Sequence, residues 1–249
     1  MKTMLSSCFG LLIVALFSIS LNKKHPQDSP LEPIVVLELF TSQGCHSCPP
    51  ADELLSKYGV SEQQIFPLSF HVDYWDYLGW KDPYSNAAYS KRQRNYTRWI
   101  NNGVYTPQLI INGNTDAIGS RSKEVERKIQ QALLKPAIAQ IDFDVNKQES
   151  AELRIDYTLT IQKDIDWVLH FALTESNLST PVKRGENGGK VLKNDHVVRG
   201  FVSKTEQLSD VFKMAYPEDM NLAHASMVAY VQDQRTGAIL GASKISHGQ

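Results

Sequence analysis

The chain has 249 residues, of which 42% are hydrophobic and 9% aromatic, and carries a formal net charge of -1. That length accommodates one large domain or two of ordinary size, and the balanced charge with only short Lys and Arg runs excludes nucleic acid or an acidic surface as the expected partner. Three cysteines are present; Cys8 falls in an apolar N-terminal segment, so removal of that segment leaves Cys45 and Cys48 as the sole pair.

Lys2 is followed by an uncharged apolar stretch that reaches Leu21, the layout of an export signal, with Ser18 and Ser20 placed for cleavage after Ser20. The run is also long enough to cross a bilayer. Residues 1–21 therefore read as a cleaved signal peptide or as a retained anchor. Either way the expectation is an exported protein, periplasmic or secreted, that touches a membrane only through residues 4–21 and sits where disulfides form. Residues 22–33, rich in proline and without an apolar period, read as a linker.

Val35 to Phe40 is an apolar run with two β-branched residues at its head, which suits a strand covered on both faces. It feeds a polar turn and then Cys45-His46-Ser47-Cys48, at the start of a helix predicted from about His46 to Tyr58 with Gly59 as its stop. At a helix N-terminus, unpaired N–H groups and the dipole favour an anion, which for cysteine is the thiolate. A structural disulfide closing so short a loop removes little entropy from the unfolded chain, so the pair reads as chemical. Gln64 to Val72 is a second strand in which Pro67 argues for an irregularity or an edge. Asp82-Pro83 has the form of a helix cap followed by proline at the first helical position, with the helix running from Tyr84 to Ile100. Pro107 to Asn112 is a third strand, Asn112-Gly113 a tight turn into Thr115 to Gly119, and Val125, Ile129, Ala132 and Leu133 mark a helix that Pro136 halts.

Beyond Pro136 the period changes from helical to two. Leu153, Ile155, Tyr157, Leu159 and Ile161 alternate with polar residues, as do Trp167, Leu169, Phe171 and Leu173, and again Met227, Ala229 and Val231. This pattern predicts an antiparallel, sandwich-like sheet with one buried face. Arg184-Gly185-Glu186-Asn187-Gly188-Gly189 lacks the features of a phosphate-binding loop and is either a turn or a lip of the site.

Among the candidate site residues, Cys45 comes first and is the expected exposed nucleophile, with Cys48 the buried resolving thiol. A C-x-x-C pair is also half of a zinc site, but no second pair completes four ligands. His46 is either a stabiliser of the Cys45 thiolate or an exposed loop histidine. Glu38 is either a buried carboxylate with a purpose or a residue facing out at an edge. His71, Asp73, Tyr74 and Trp75 follow the second strand and leave from the same sheet edge as the cysteine loop. Trp75, Trp80 and Trp99 are open between a substrate groove and packing, and Lys91, Arg92, Arg94 and Arg98 read as a solvated helix face.

The order strand, helix, strand, helix, strand, hairpin, strand, helix is the minimal thioredoxin topology. LFTSQGCHSCPPAD, HVDYWDYLGWKDP, VYTPQLIING, RGENGG and HVVRGF together resemble the exported thioredoxin-like family catalogued as domain-of-unknown-function family 1223, over roughly residues 34 to 203. The resemblance implies an α/β thioredoxin-like N-terminal domain with a helical insert (residues 34–136), followed by an antiparallel β-sandwich-like C-terminal domain (residues 137–249). It implies a cis-proline at Pro107, with Thr106 presenting its backbone to a docked substrate, and an acidic residue on the first strand, nearest to Glu38, that handles the proton of the buried cysteine. Catalytic roles then fall to Cys45, Cys48, His46 and Glu38, and substrate binding to Thr106, Pro107, Asp73, Tyr74 and Trp75. The implied activity is thiol–disulfide exchange on protein thiols or disulfides, with a redox partner to reset the pair and without a metal or cofactor. Copper binding through Cys45, Cys48 and either His46 or His71, and a non-enzymatic binding module, are the competing readings.

Overall fold

The computed structural model describes residues 30–59, 63–148 and 150–246; the segment expected to direct export and most of the expected linker lie outside them. In chain order the described residues form β1 (Val35–Thr41), α1 (Pro49–Leu55), β2 (Ile65–His71), α2 (Ala87–Asn95), β3 (Gln108–Ile111), β4 (Thr115–Ile118), α3 (Ser122–Ala132), β5 (Ala139–Lys147), β6 (Glu152–Ile161), β7 (Trp167–Glu175), β8 (Leu178–Pro181), β9 (Val191–Asn194), β10 (Val197–Lys204), β11 (Ser209–Ala215), β12 (Ala225–Asp233) and β13 (Ile239–Ser246).

Eight strands join in one mixed sheet of order β13-β12-β7-β10-β2-β1-β3-β4. β1 and β2 are parallel, β3 and β4 form the expected hairpin, and β10 joins β2 at Val197 and Ser69. This continuous sheet overturns the expectation of a thioredoxin-like α/β domain followed by a separate β-sandwich. The protein is mostly β, with three short α-helices among the described residues. The alternation in β7 is real but incomplete as evidence: its other face, carrying His170, Ala172 and Thr174, is also covered, these residues being 5%, 0% and 2% exposed. A sandwich strand with one wet face would leave that set in water.

The sheet is covered on both sides. On one face, α1 and α3 pack on Leu37, Leu39 and Leu109 in the N-terminal half. On the same chain's β-rich half, a three-stranded sheet of order β11-β6-β5 packs Ile155, Tyr157 and Leu159 against Phe171 and Ala229. A third cluster joins Phe40, Phe70 and Ile110 to Ala172, Val228 and Tyr230 beneath Tyr89 and Tyr96 of the α2 segment. The α2 segment thus covers strands from both halves of the chain.

Local chemistry explains the element ends. Pro49 and Pro50 open α1, so Cys48 caps the helix and Cys45 to Ser47 form a turn before it, rather than the first turn of a helix from His46. α2 starts at Ala87 with Asn86 accepting the Ala88 N–H, not at Tyr84 behind an Asp82 cap. Ile111 pairs with Thr115, so the turn between β3 and β4 has three residues, Asn112, Gly113 and Asn114, of which the first two sit at positive φ, 45° and 76°. Pro67 is tolerated inside the sheet because Ser69, two residues on, donates towards β10, to His196 O at 2.8 Å. Pro67 nitrogen points to that same side, short of where β10 begins pairing.

Candidate active site

β1 and β2 run in parallel and end together at Thr41 and His71, whose backbones remain bonded through Val72 N to Thr41 O at 2.9 Å. The chain beyond β1 carries Cys45 and Cys48, and the chain beyond β2 carries Asp73 to Asp82. Cys45 and Cys48 form a disulfide with their Cα atoms 5.4 Å apart. Both are buried, Cys45 contrary to the expectation of an exposed nucleophile, whereas His46 and Ser47 between them are exposed. Cys45 Sγ lies 3.5 Å from Ser47 Oγ.

Beneath the pair is a cluster of titratable groups buried in the protein. Asp52, one turn after Cys48, donates its backbone N–H to Cys48 O at 3.1 Å, and its Oδ2 accepts from Thr41 Oγ1 at 3.1 Å. Burial pushes the Asp52 carboxyl up to about 7, against the lowering influence of His71 charge and the Thr41 hydroxyl, with Asp82 charge raising it further. His71 Nδ1 is 2.7 Å from Asp82 Oδ2. Burial opposes charge on this imidazole, but the charge and hydrogen bond of Asp82, aided by Asp52, raise its pKa. Burial likewise opposes charge on Asp82, yet His71 and the N–H groups of Gln43 and Tyr84 outweigh it and lower the pKa. Among the described residues, Asp52 Oδ1 and His71 Nε2 are buried without a hydrogen-bond partner.

Thr106-Pro107 is a cis peptide bond at the head of β3. Pro107 O accepts from Gly119 N at 2.9 Å. A side chain on Gly119 would meet Leu39 at 2.8 Å, Ala51 at 2.9 Å and Pro107 at 3.5 Å, so this glycine lets α1 and the cis-proline converge. Trp75 Nε1 donates to Thr106 Oγ1 at 2.8 Å, and the Trp75 Cβ crowds Gly44, next to Cys45. Tyr74 OH donates to Gln93 Oε1, and Gln93 Nε2 holds Tyr105 O at 2.7 Å; burial raises the Tyr74 pKa despite these bonds. Asp73 is bonded to Ser90 of α2 through both its backbone and its carboxylate.

Thus Cys45, Cys48, Thr106, Pro107 and Trp75 come together, with His46 at the rim. Glu38 does not join them. It faces α2 with Val36 and Phe40, and Arg92 binds it at 2.6 and 2.7 Å with Tyr96 OH at 2.7 Å. Arg92 accordingly leaves the expected solvated face: its side chain is 11% exposed, whereas Lys91, Arg94 and Arg98 are exposed. The buried carboxyl near Cys48 is Asp52, which in sequence looks like an ordinary acid of a first helical turn. Asp82 looks like a cap and is instead the partner of His71.

The Gly-rich loop between β8 and β9 is the other contributor that sequence left open. Asn187 Nδ2 donates to Gln43 O at 3.0 Å and to Cys45 O at 2.9 Å, and Glu186 Oε2 accepts from His46 N at 2.9 Å. Gln43 is further held by Asn194 and by Trp80 Nε1. Trp75 and Trp80 therefore flank the cysteine turn, while Trp99 packs on Tyr96. No group of three or more His, Cys, Asp or Glu side chains arranged to hold a metal ion occurs among the described residues.

A family model described as "Protein of unknown function (DUF1223)" matches residues 36–232. A crystal structure of a protein from Agrobacterium tumefaciens is similar at 28% identity, over 88% of this chain and 96% of that one, with a TM-score of 0.65. HBP35 of Porphyromonas gingivalis is similar in fold at 17% identity, over 87% of this chain and 76% of that one, with a TM-score of 0.64. No curated protein matches significantly.

Proposed function

We propose, from the premise that the chain belongs to the family described as a protein of unknown function (DUF1223), that it is an exported thiol–disulfide oxidoreductase working through Cys45 and Cys48. The observation that carries this reading is the Cys45–Cys48 disulfide with the buried Asp52 carboxyl one turn further on, held at about 7. A group that titrates near neutrality is suited to take and return a proton as the buried thiol reacts. Support also comes from the likeness to thioredoxin-like proteins, in which a C-x-x-C turn after a strand accompanies a cis-proline, here Pro107.

In the reducing direction, the Cys45 thiolate attacks one sulfur of a substrate disulfide. The substrate S–S bond breaks, one substrate thiolate leaves, and a mixed disulfide remains on Cys45. Cys48 gives its proton to Asp52 and attacks Cys45 Sγ; the bond to substrate breaks, the second thiolate leaves, and the pair ends as the intramolecular disulfide. Two electrons have passed to the substrate, so a thiol-bearing partner must reduce the pair to reset it. Oxidation of substrate thiols runs the same steps in reverse. Thr106-Pro107, anchored by Trp75, aligns the substrate chain, and the His71–Asp82 pair fixes the charge beside Asp52.

Export rests on residues 1–21; no described helix is long and apolar enough to cross a membrane. The test is catalysis of insulin reduction by dithiothreitol. Wild-type protein should accelerate it, Cys45→Ala should abolish the acceleration, and Cys48→Ser should accumulate the mixed disulfide. Activity that survives in Cys45→Ala, or is absent from the wild type, sinks the reading.

A further inference from the structure

Cys45, the thiol expected to meet the substrate, is only 1% exposed. A disulfide sulfur so enclosed cannot be approached in line by an attacking thiolate. Something beside it has to move.

The segment best built to do so is the β8–β9 loop. Its ends are closed by hydrogen bonds between Val182 and Lys190 and from Gly189 N to Val182 O, and its tip by Gly188 N to Gly185 O and Lys190 N to Asn187 O. These bonds lie inside the loop, so its shape does not depend on being docked. Gly185 and Gly189 sit at φ 76° and 83°, where residues with a side chain are strained. Around them the loop is exposed except for Val182, which belongs to its base, and Asn187, which is 0% exposed. Asn187 is the one tip side chain turned inward, and both its donors are spent on the carbonyls of Gln43 and Cys45, while Lys190 Nζ holds its Oδ1 at 2.9 Å. Glu186 adds a bond to His46 N. Three bonds thus fasten the tip to the main chain on both sides of Cys45.

We infer that residues 182–190 form a lid over the cysteine turn, latched by Asn187 and Glu186, whose opening admits the thiol or disulfide partner to Cys45. The inference rests on the reading of Cys45 as the reacting thiol, and it assigns Asn187 as a positioning residue of the site, supplied by the β-rich half of the chain. The lid opens by local release of the latch while β8 and β9 stay paired.

The test is alkylation of the fully reduced protein by iodoacetamide as a function of pH, with mass spectrometry to locate the adduct on Cys45. The midpoint of the profile reports the thiolate pKa, whereas the alkaline plateau reports access to the thiolate. Asn187→Ala is expected to raise the plateau about tenfold without moving the midpoint. Glu186→Ala, which alters an exposed contact and carries the test alone if Asn187→Ala does not fold, is expected to raise the plateau about threefold. It should also lower the midpoint, since a negative charge is removed beside the thiolate. Plateaus within twofold of wild type in the folded variants overturn the lid. Alkylation requires no turnover, so it reads the lid even where the insulin assay rejects the oxidoreductase reading, and a catalytically active protein with unchanged plateaus rejects the lid alone.

Discussion

Two buried carboxylates lie on opposite faces of the sheet and differ in how completely they are paired. Glu38, on the α2 face, has both oxygens engaged by Arg92, with Tyr96 OH added at 2.7 Å. Arg92 in turn lies over the rings of Phe201, Tyr96, Tyr230 and Phe70 at 4.9 to 5.7 Å. Asp52, on the α1 face, has one oxygen on the Thr41 hydroxyl and the other without a hydrogen-bond partner among the described residues. Their roles follow from their pairing. A fully paired buried charge is locked into the architecture, and here it ties α2 to strands from both halves of the chain. An incompletely paired one is left with the cost of burying its charge uncompensated, which tightens its hold on the proton until exchange falls near neutrality.

Removing Arg92 has the largest expected effect. Arg92→Met leaves Glu38 buried with its ionic partner gone, which costs about 3–5 kcal/mol for groups of this kind. The measurement is the urea midpoint and slope, and part of the loss should return in the Glu38→Gln/Arg92→Met double variant, where no charge is stranded. A loss below about 1 kcal/mol in Arg92→Met would show that Glu38 is not held as the geometry describes.

Asp52 should respond in the opposite sense. Its carboxyl titrates at about 7 in the folded protein against an ordinary value of 3.8, so the folded state holds an extra proton between those values. Its contribution to stability is full below about pH 4 and is lost as pH rises through about 7. Asp52→Asn should therefore match wild type near pH 4 and exceed it at pH 8, by up to about 4 kcal/mol if His71 and Asp82 keep their charges. If the proton transfer to Asp52 is catalytic, the same variant should turn over about 10²-fold more slowly. Unfolding curves of the two proteins that run parallel from pH 4 to 8 would place Asp52 in the same class as Glu38.

The contrast also separates what sequence could reveal from what it could not. β1, the cysteine turn, the Asn112-Gly113 hairpin and the alternation of β6 are local patterns, and each is legible because its cause lies within a few residues. The union of the two halves is not, since it depends on β10 meeting β2 at Val197 and Ser69, far apart in the chain. Polar residues on the second face of β7, such as His170, look solvated until α2 is placed over them. Arg92 hid in a charged run, although Tyr89, Arg92, Gln93 and Tyr96 recur at helical spacing while Lys91, Arg94 and Arg98 fall elsewhere on the helix. Glu38 drew notice as the odd carboxylate in an apolar strand; Asp52 carried no comparable signal, because an acid in the first turn of a helix is ordinary.

The smallest effect concerns a polar contact that is neither sealed nor buried within the cluster. Trp75 Nε1 holds Thr106 Oγ1 at 2.8 Å, and both residues are half-buried. In Trp75→Phe water reaches the hydroxyl that is freed, so the stability cost should be only about 0.5–1.5 kcal/mol, well below that of stranding Glu38. The contact lies on the loop proposed to align the substrate, away from the proton chemistry at Asp52. Its loss should therefore raise KM for a disulfide substrate a few-fold and leave kcat unchanged, the pattern of a group that binds ground state and transition state alike. A fall in kcat with KM unaltered would instead tie Trp75 to the chemical step, and would mean that the Thr106-Pro107 loop and the Asp52 cluster act as one unit rather than as separate parts of the site.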